Sequence, residues 1–368
     1  MAIIKKAKET MTAKERVIRT FNKEKTDRIT IGYETNPVAR TNLCNALGIS
    51  TNDDIGLKKN LGVDYAGVGA PYTGPALYAE IPDRYRDPQL GAVMRYVENA
   101  FGSYWDFCDF PLKDANDEEI YSHPFPNPDH YDYDEAGRHI DRLIDQGFAI
   151  HVGGAGLGDV LNTTGMLMGV EDALVQISTG NEATLDLIDR RINSNLAVVE
   201  RILEKNKGKI DFMWMGEDLG TQHTPLISLD MYNEYIRPRH QRVIDMAKHY
   251  GLPIQIHTCG SSSWVYEELI KMGMTGVDTL QPEATNMSPE YLSKTFGGRL
   301  CFRGCISTAG PLAYGTAEET EAICKQTLEI MMQHKGYHFA PTHSIQDNTP
   351  AENLLAMYNA AHKYGVYA

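Results

Sequence analysis

The chain has 368 residues, of which 42% are hydrophobic and 23% are charged, so it can bury a large core and is not a low-complexity chain. It carries 49 acidic and 35 basic residues, a net charge of −14, which argues against nucleic acid or an anionic membrane as its main partner. No apolar run is long enough for a transmembrane helix or a signal peptide, so we expect a cytoplasmic protein. Six cysteines in such a chain do not indicate a disulfide framework.

Predicted strands and helices alternate along the chain. Thr12 and Glu15 form a capping box at the start of the first helix, which precedes a strand in 27–34. Further strands are predicted at 63–70, 147–156, 209–218, 253–256, 276–283, 299–307 and 336–344. Helices are predicted at 138–146, 169–206, 228–251, 264–273, 288–297, 316–336 and 349–365. Residues 91–111 indicate a strand and an aromatic loop, and 121–137 a connection without periodicity.

This alternation predicts parallel βαβ units. About eight strands favour an α/β fold of the (β/α)8 TIM-barrel type with an N-terminal helical extension, built as one domain over 1–368; an open doubly wound sheet is the alternative. The glycine-rich stretch HVGGAGLGD follows a strand but lacks the dinucleotide fingerprint and the lysine of a phosphate loop. We therefore predict a tight, closely packed turn there.

Polar side chains follow several of the predicted strands. In a barrel of this type the carboxyl ends of the strands meet at one face, so these side chains are the candidate site. The strands and the loops after them supply His151, Glu217, Asp218, Gln222, His223, His257, Cys259, Glu283, Cys305 and His343.

Four of these residues form a candidate metal site. His257 and Cys259 are two apart and can point the same way, and Glu283 and His343 follow later strands. Nitrogen, sulfur and oxygen donors together suit Zn²⁺ rather than magnesium or calcium. The alternative is that His257 binds a neighbouring carboxylate and Cys259 belongs to the core. We interpret the remaining cysteines as buried side chains.

The chain also resembles the uroporphyrinogen decarboxylase superfamily. The resemblance rests on AKERVIRTFNKEKTDRI near the start and, from residue 216 on, on GEDLGTQHTPLIS, IRPRH, PIQIHTCGSSS, GVDTLQPEA, RGCIST, YGTAEE and APTHSIQDNTPAENLLAMYNA; residues 70–140 match least. It implies a (β/α)8 barrel, often a homodimer.

Two branches of that superfamily differ in an arginine-rich segment and in a set of zinc ligands, and both can be compared with this chain. Decarboxylases carry an arginine-rich segment near the N-terminus, where this chain has YETNPVARTNLC with Arg40 alone. Zinc-dependent methyltransferases that work with a corrinoid protein bind zinc through an H-x-C pair, a later Glu and a Cys near the last strand. His257, Cys259 and Glu283 match that pattern, and His343 stands where those enzymes have Cys. The resemblance therefore favours the methyltransferase branch.

The expected chemistry follows from the altered ligand set. Zinc with fewer thiolates is more Lewis acidic and could polarise an ether or alcohol oxygen while the methyl group passes to a reduced corrinoid. Glu217 or Asp218 could protonate that oxygen, or the pair could be a hydrogen-bonded part of the barrel rim. Either Glu283 or Glu217 could be the fourth zinc ligand. We expect His151, Gln222, His223 and Tyr72 to contact the substrate, although Tyr72, with the aromatics of 104–107, could equally belong to the core or a dimer interface.

The sequence thus predicts a zinc methyltransferase that moves a methyl group between a small O-methyl substrate and a corrinoid protein. One alternative is a decarboxylase of a porphyrin-like or other carboxylate. Another is a non-catalytic protein that binds a corrinoid or tetrapyrrole.

Overall fold

Eight parallel strands form the wall of a nearly closed barrel in the computed structural model, which describes residues 2–367. The strands in chain order are β1 Thr30–Ile31, β2 Tyr65–Val68, β3 Tyr85–Arg86, β4 Val93–Glu98, β5 Ser103–Phe107, β6 Ala149–Gly153, β7 Phe212–Gly216, β8 Ile254–His257, β9 Gly276–Leu280, β10 Cys301–Ile306 and β11 Tyr337–Pro341. The barrel order is β1-β11-β10-β9-β8-β7-β6-β2, and β3, β4 and β5 form a separate antiparallel sheet. The predicted (β/α)8 barrel is confirmed; that 1–368 forms one domain stays a prediction.

The barrel closes between β1 and β2 through Asp64. Its backbone N–H donates to the Ile31 carbonyl at 3.0 Å, and its carboxylate accepts from the Ile31 N–H at 2.8 Å. Arg28 pairs with the same carboxylate at 2.8 Å, and Arg16 pairs with it at 2.5 Å. All three charged side chains are buried, and each guanidinium has a carboxylate partner, as a buried charge requires.

Helices surround the wall and cover its amino-terminal end. They are α1 Ala13–Phe21, α2 Pro37–Leu47, α3 Asp54–Leu61, α4 Asp117–Ser122, α5 Tyr133–Asp145, α6 Leu161–Met168, α7 Val170–Ser178, α8 Glu182–Lys205, α9 Leu229–Met231, α10 Arg237–His249, α11 Tyr266–Met272, α12 Pro289–Phe296, α13 Pro311–Tyr314, α14 Ala317–Met331 and α15 Ala351–Tyr364. The predicted N-terminal extension is α1, whose Phe21 ring packs on Phe212 at 5.2 Å and on His338 at 4.9 Å inside the barrel. None of the described helices is long and apolar enough to cross a membrane.

The structure differs from the predicted elements at several places. The helix predicted at 169–206 is two helices, α7 and α8, and α2, α3 and α6 lie where no helix was predicted. Residues 91–111 contain two paired strands, β4 and β5. The helix predicted at 138–146 begins earlier, at Tyr133, because the Asp132 side chain caps it by accepting from the Glu135 N–H. The helix predicted at 228–251 is interrupted by a π-helical turn at 232–236; Pro238 has no N–H to donate back into that turn.

Candidate metal centre

Three metal-binding side chains converge at the carboxyl ends of the barrel strands. His257 is the last residue of β8, Cys259 follows it by two positions, and His343 follows the end of β11 by two positions. One donor atom from each lies within 4.8 Å of the others. The predicted convergence of these residues is therefore present in the structure.

The glycine of the HTCG motif is required by backbone packing. Gly260 has φ +70, in the left-handed region, and a Cβ there would lie 2.4 Å from the Gly220 carbonyl oxygen. A residue with a side chain would clash with the loop after β7. The turn therefore brings Cys259 back against the end of β7, where Asp218 lies.

Polar side chains on β9 orient the His257 ring. The His257 Nδ1 lies 3.1 Å from an Asp278 carboxylate oxygen and 2.6 Å from the Thr279 hydroxyl. Burial disfavours the charged imidazolium, but the hydrogen bond and the charge of Asp278 outweigh it and raise the pKa of His257. With Nδ1 held in this way, Nε2 is the nitrogen that faces Cys259, at 3.7 Å from its sulfur.

Asp278 is itself held by a buried arginine. Arg303 on β10 donates to Asp278 and, at 3.0 Å, to Glu34, and its Nε donates to the Tyr65 hydroxyl at 2.8 Å. Burial alone would raise the pKa of Asp278, but Arg303 and His257 lower it to about 2. Asp278 is therefore a carboxylate at neutral pH, so its oxygen accepts a hydrogen bond from Nδ1.

Thr279 holds an uncommon backbone conformation beside the site. Its φ is +65, which is a strained value for a β-branched residue. The parallel pairing of β9 with β10 shifts register next to it, between Phe302 and Gly304. In this conformation the Thr279 hydroxyl contacts His257. Strained backbone and bulges of this kind are common at functional sites.

The Cys259 thiol lies beside a carboxylate. The Asp218 side chain accepts from the Cys259 backbone N–H at 2.8 Å, and its other oxygen accepts from the Asn162 amide at 3.0 Å. Burial first, and then the charge of Asp218, raise the pKa of the Cys259 thiol, so the thiol is protonated unless a cation lies against it. A coordinated cysteine is deprotonated by the metal, and two imidazoles with one thiolate are a donor set that fits Zn²⁺.

Glu283 lies near this cluster but outside it. A cavity of about 260 Å³ is lined by Glu283, Cys259 and His343, with Gln281 and Gln346. The Glu283 side chain is exposed and its oxygens are not among the donors that lie within 4.8 Å of one another. That Glu283 is a metal ligand therefore stays a prediction.

The Glu217 side chain lines neither the cavity beside Glu283 nor a second cavity that borders the cluster on the side of His257. Its carboxylate is buried and accepts from the backbone N–H of Val160 at 2.6 Å and of Leu161 at 3.0 Å, at the start of α6. His240 lies 3.6 Å from the same carboxylate. Burial raises the pKa of Glu217 to about 8, although the two N–H donors act in the other direction. Of the two predicted acidic residues, Asp218 contacts the HTCG turn through its side chain, whereas Glu217 contacts it through its backbone N–H, which donates to the His257 carbonyl at 2.9 Å.

His257 also faces a second cavity, of about 300 Å³, inside the mouth of the barrel. His151, Trp214 and Tyr33 line it, and Tyr33 Oη, His151 Nδ1 and Trp214 Nε1 have no hydrogen-bond partner among the described residues. Burial and the nearby Arg303 lower the pKa of His151 to about 3, so this ring is neutral. These three polar atoms could bind a small uncharged polar group.

The remaining predicted substrate residues lie outside these two cavities. Gln222 accepts from the Gln281 amide at 2.8 Å, and His223 is exposed in the same loop. The Tyr72 hydroxyl donates to the Pro75 carbonyl at 2.9 Å, and its ring packs on Tyr131. The aromatics of β5 are partly exposed on the antiparallel sheet. That Gln222, His223 and Tyr72 contact the substrate stays a prediction.

Residues 166–364, more than half of the chain, match the family described as uroporphyrinogen decarboxylase (URO-D). The chain belongs to the uroporphyrinogen decarboxylase family. No curated protein sequence matches it.

The structure of a methyltransferase from Methanosarcina mazei has the same fold as this URO-D family barrel, with a TM-score of 0.66 at 15% identity over 96% of this chain and 98% of that chain. A more distant likeness is a Penicillium canescens endo-1,4-beta-xylanase, with a TM-score of 0.39 at 6% identity over 68% of this chain and 86% of that one. A D-psicose 3-epimerase has a TM-score of 0.30 at 13% identity over 62% of this chain and 71% of that one.

Several residues of this URO-D family site were missed by sequence reasoning, namely Glu34, Tyr33, Trp214, Asp278, Thr279 and Arg303. One signal was available for two of them, since Asp278 and Arg303 are charged residues inside otherwise apolar strands. Arg40, the one arginine in the segment where decarboxylases have several, donates to the Thr51 carbonyl and lies 3.7 Å from Asp54. It lines neither cavity beside the cluster.

Proposed function

We propose that this barrel is a zinc-dependent methyltransferase that moves a methyl group from a small O-methyl substrate to a corrinoid protein. The observation that carries the proposal is the convergence of donor atoms from His257, Cys259 and His343 within 4.8 Å, in a URO-D family chain. The Methanosarcina mazei protein of the same fold is a methyltransferase, which makes this chemistry a reasonable expectation for the barrel.

In this proposal His257, Cys259 and His343 hold the zinc, and Glu283 exchanges with the substrate at the fourth position. A catalytic zinc keeps such an exchangeable position. Zinc bound here would supply Lewis acidity toward the ether oxygen of the substrate. Asp278 and Thr279 keep His257 in one orientation, and Arg303 keeps Asp278 ionised.

The substrate oxygen needs a proton once its bond to the methyl group breaks. Asp218 is the candidate to take up a proton from solvent and pass it to this oxygen, because it lies against the Cys259 backbone and is partly exposed. The cavity lined by His151, Tyr33 and Trp214 would hold the body of the substrate. The corrinoid would approach at the mouth of the cavity lined by Glu283, Ser307 and Gln346, which is too small to enclose a corrin ring, since methyl transfer requires donor and acceptor on opposite sides of the methyl carbon.

The proposal is tested with the purified protein, zinc and a reduced corrinoid protein. We expect the visible spectrum of the corrinoid to change to that of its methylated form with at least one donor among methoxyaromatics, simple alcohols and methyl thioethers. Cys259→Ala should abolish the change, and Cys305→Ala should retain it, because Cys305 is buried outside the cluster. Light scattering of the same sample tests the predicted homodimer.

A decarboxylase is the second candidate, because the family description names that activity. The structure weakens this candidate, because Arg40 is bound to the Thr51 carbonyl and lines neither cavity beside the cluster. Release of carbon dioxide from a carboxylate substrate, with no methylated corrinoid from any donor, would favour decarboxylation. Tight corrinoid binding with no donor consumed would favour the non-catalytic alternative.

A further inference from the structure

A third cavity, of about 390 Å³, lies between α6, α8 and the segment that follows β3. Its apolar lining includes Leu90, Phe125 and Met166, and its polar lining includes Asn162, Asn195 and Arg191. The volume is in the range of small-molecule pockets, which combine apolar walls with a few polar groups. This cavity plays no part in the proposed zinc chemistry.

Arg191 is a buried cation that has no counter-ion within ion-pair distance among the described residues. Its side chain is on α8 and the residue is 5% exposed. Its Nη1 donates to the Gly156 carbonyl at 3.3 Å, while its Nη2 has no partner. In the described part of the chain no carboxylate oxygen lies within 4.0 Å of its guanidinium, whereas the other arginines buried in the barrel, Arg16, Arg28 and Arg303, each have one. Buried arginines are ordinarily paired.

The acidic residues nearest to Arg191 are engaged elsewhere. Asp159 lines the same cavity, but its carboxylate accepts from the Thr163 N–H at 2.8 Å. Glu217 accepts from the N–H groups that begin α6. Burial, together with the charge of Glu217, raises the pKa of Asp159 to about 7, so this carboxylate is only partly ionised at neutral pH. An anion from outside the chain would supply the missing partner.

We propose that this cavity binds a small aromatic carboxylate, whose carboxylate group pairs with Arg191 and whose ring packs against Leu90, Phe125 and Met166. The guanidinium fork matches a carboxylate in two parallel hydrogen bonds, and the apolar wall accounts for the ring. Asn162 and Asn195 add polar groups to the lining of the same cavity. The proposal stands whether or not the barrel transfers a methyl group.

The cavity is connected to the metal centre by short contacts. Asn162, which lines it, donates to Asp218, and Asp218 accepts from the backbone of Cys259. Ala155 lines both this cavity and the one that His257 faces. A carboxylate bound at Arg191 would therefore lie in a cavity whose wall residue Asn162 contacts Asp218, and it would be separate from the substrate body in the cavity that His257 faces.

Isothermal titration calorimetry with benzoate and with its neutral amide, benzamide, tests the proposal. We expect wild-type protein to bind benzoate at least tenfold more tightly than benzamide. Arg191→Gln should weaken benzoate at least tenfold and remove the preference. Arg201→Gln is the matched control, because Arg201 lies on the same helix but pairs with Asp129 at the surface; it should bind both compounds as the wild type does.

Two further variants keep the test sharp. Asn195→Trp, one turn after Arg191 on α8, should fill the cavity and abolish benzoate binding while Arg191 stays. Cys259→Ala should leave benzoate binding unchanged, so a failure of the metal-centre proposal is distinguishable from a failure here. Equal affinity for benzoate and benzamide, no binding of either at millimolar concentration, or full benzoate binding by folded Arg191→Gln would overturn the proposal.

Discussion

The Asp278 carboxylate lies 3.1 Å from His257 Nδ1, and the opposite ring nitrogen lies 3.7 Å from the Cys259 sulfur. The sequence left open whether His257 is a metal ligand or the partner of a carboxylate, and the structure makes the two roles compatible. One ring nitrogen binds the carboxylate, and the other faces the metal-binding cluster. Outer carboxylates of this kind fix the tautomer and orientation of histidine ligands.

We expect Asp278→Asn to lower zinc affinity about 10- to 100-fold, the usual effect of losing an outer carboxylate. Competition with a chelator measures it. Asp211→Asn is the matched control, since Asp211 is also a buried acid that accepts a backbone N–H, from Ile150, but lies at the opposite end of the barrel. Equal zinc affinity of the Asp278 variant and wild type would contradict the role given to Asp278.

Cys259→Ala should reduce bound zinc by about an order of magnitude or more, because the thiolate ligand is lost. Metal analysis of the purified variant measures the effect. Cys305→Ala should keep the wild-type zinc content, since that buried thiol is outside the donor cluster. Full zinc occupancy in the Cys259 variant would exclude the site.

The two acidic residues after β7 should behave differently. Asp218→Asn should lower turnover by about 10²- to 10⁴-fold with zinc retained, as expected for loss of a proton donor. Glu217→Gln should keep most of the turnover and lower thermal stability, because it weakens the acceptor of the first N–H groups of α6. The reverse pattern in steady-state rates and melting temperatures would move the proton-donor role to Glu217.

Buried neutral histidines should make the fold sensitive to acid. Burial lowers the pKa of His338 from 6.5 to about 3, so below pH 6.5 the unfolded chain binds a proton that the native ring does not. The contribution of this ring to the free energy of unfolding is therefore complete above pH 6.5 and is lost as the pH falls toward 3. At pH 5 the loss is about 2 kcal/mol for this one group.

Urea unfolding at pH 7.5 and pH 5 measures this effect. His338→Phe, which keeps the packing on Phe21 and Tyr65, should lose less stability than wild type between the two values. His249→Phe, at an exposed position near the end of α10, should lose as much as wild type. An unchanged pH dependence in the His338 variant would contradict the assignment of a neutral native ring.

Much of the fold could be predicted because the elements of this barrel carry local signals. Strands such as PIQIH and KIDFMWMG are apolar because both faces of a parallel strand are buried, and alternation with helices restricts the topology to few choices. The start of α5 and the π-turn before Pro238 were missed because each depends on one local feature. A single capping hydrogen bond sets the start of α5, and a single missing N–H lies beside the π-turn.

The sequence by itself determined the barrel class and that His257, Cys259 and His343 would lie at the same face, because the carboxyl ends of parallel strands share one edge. Only the tertiary structure decided which side chains face one another across the strands. The structure gives the carboxylates of Glu217 and Asp218 different partners and brings Asp278 and Thr279 against His257. It also buries Arg191 without an ion-pair partner among the described residues. These relationships join residues far apart in the chain, and no local pattern encodes the distance between them.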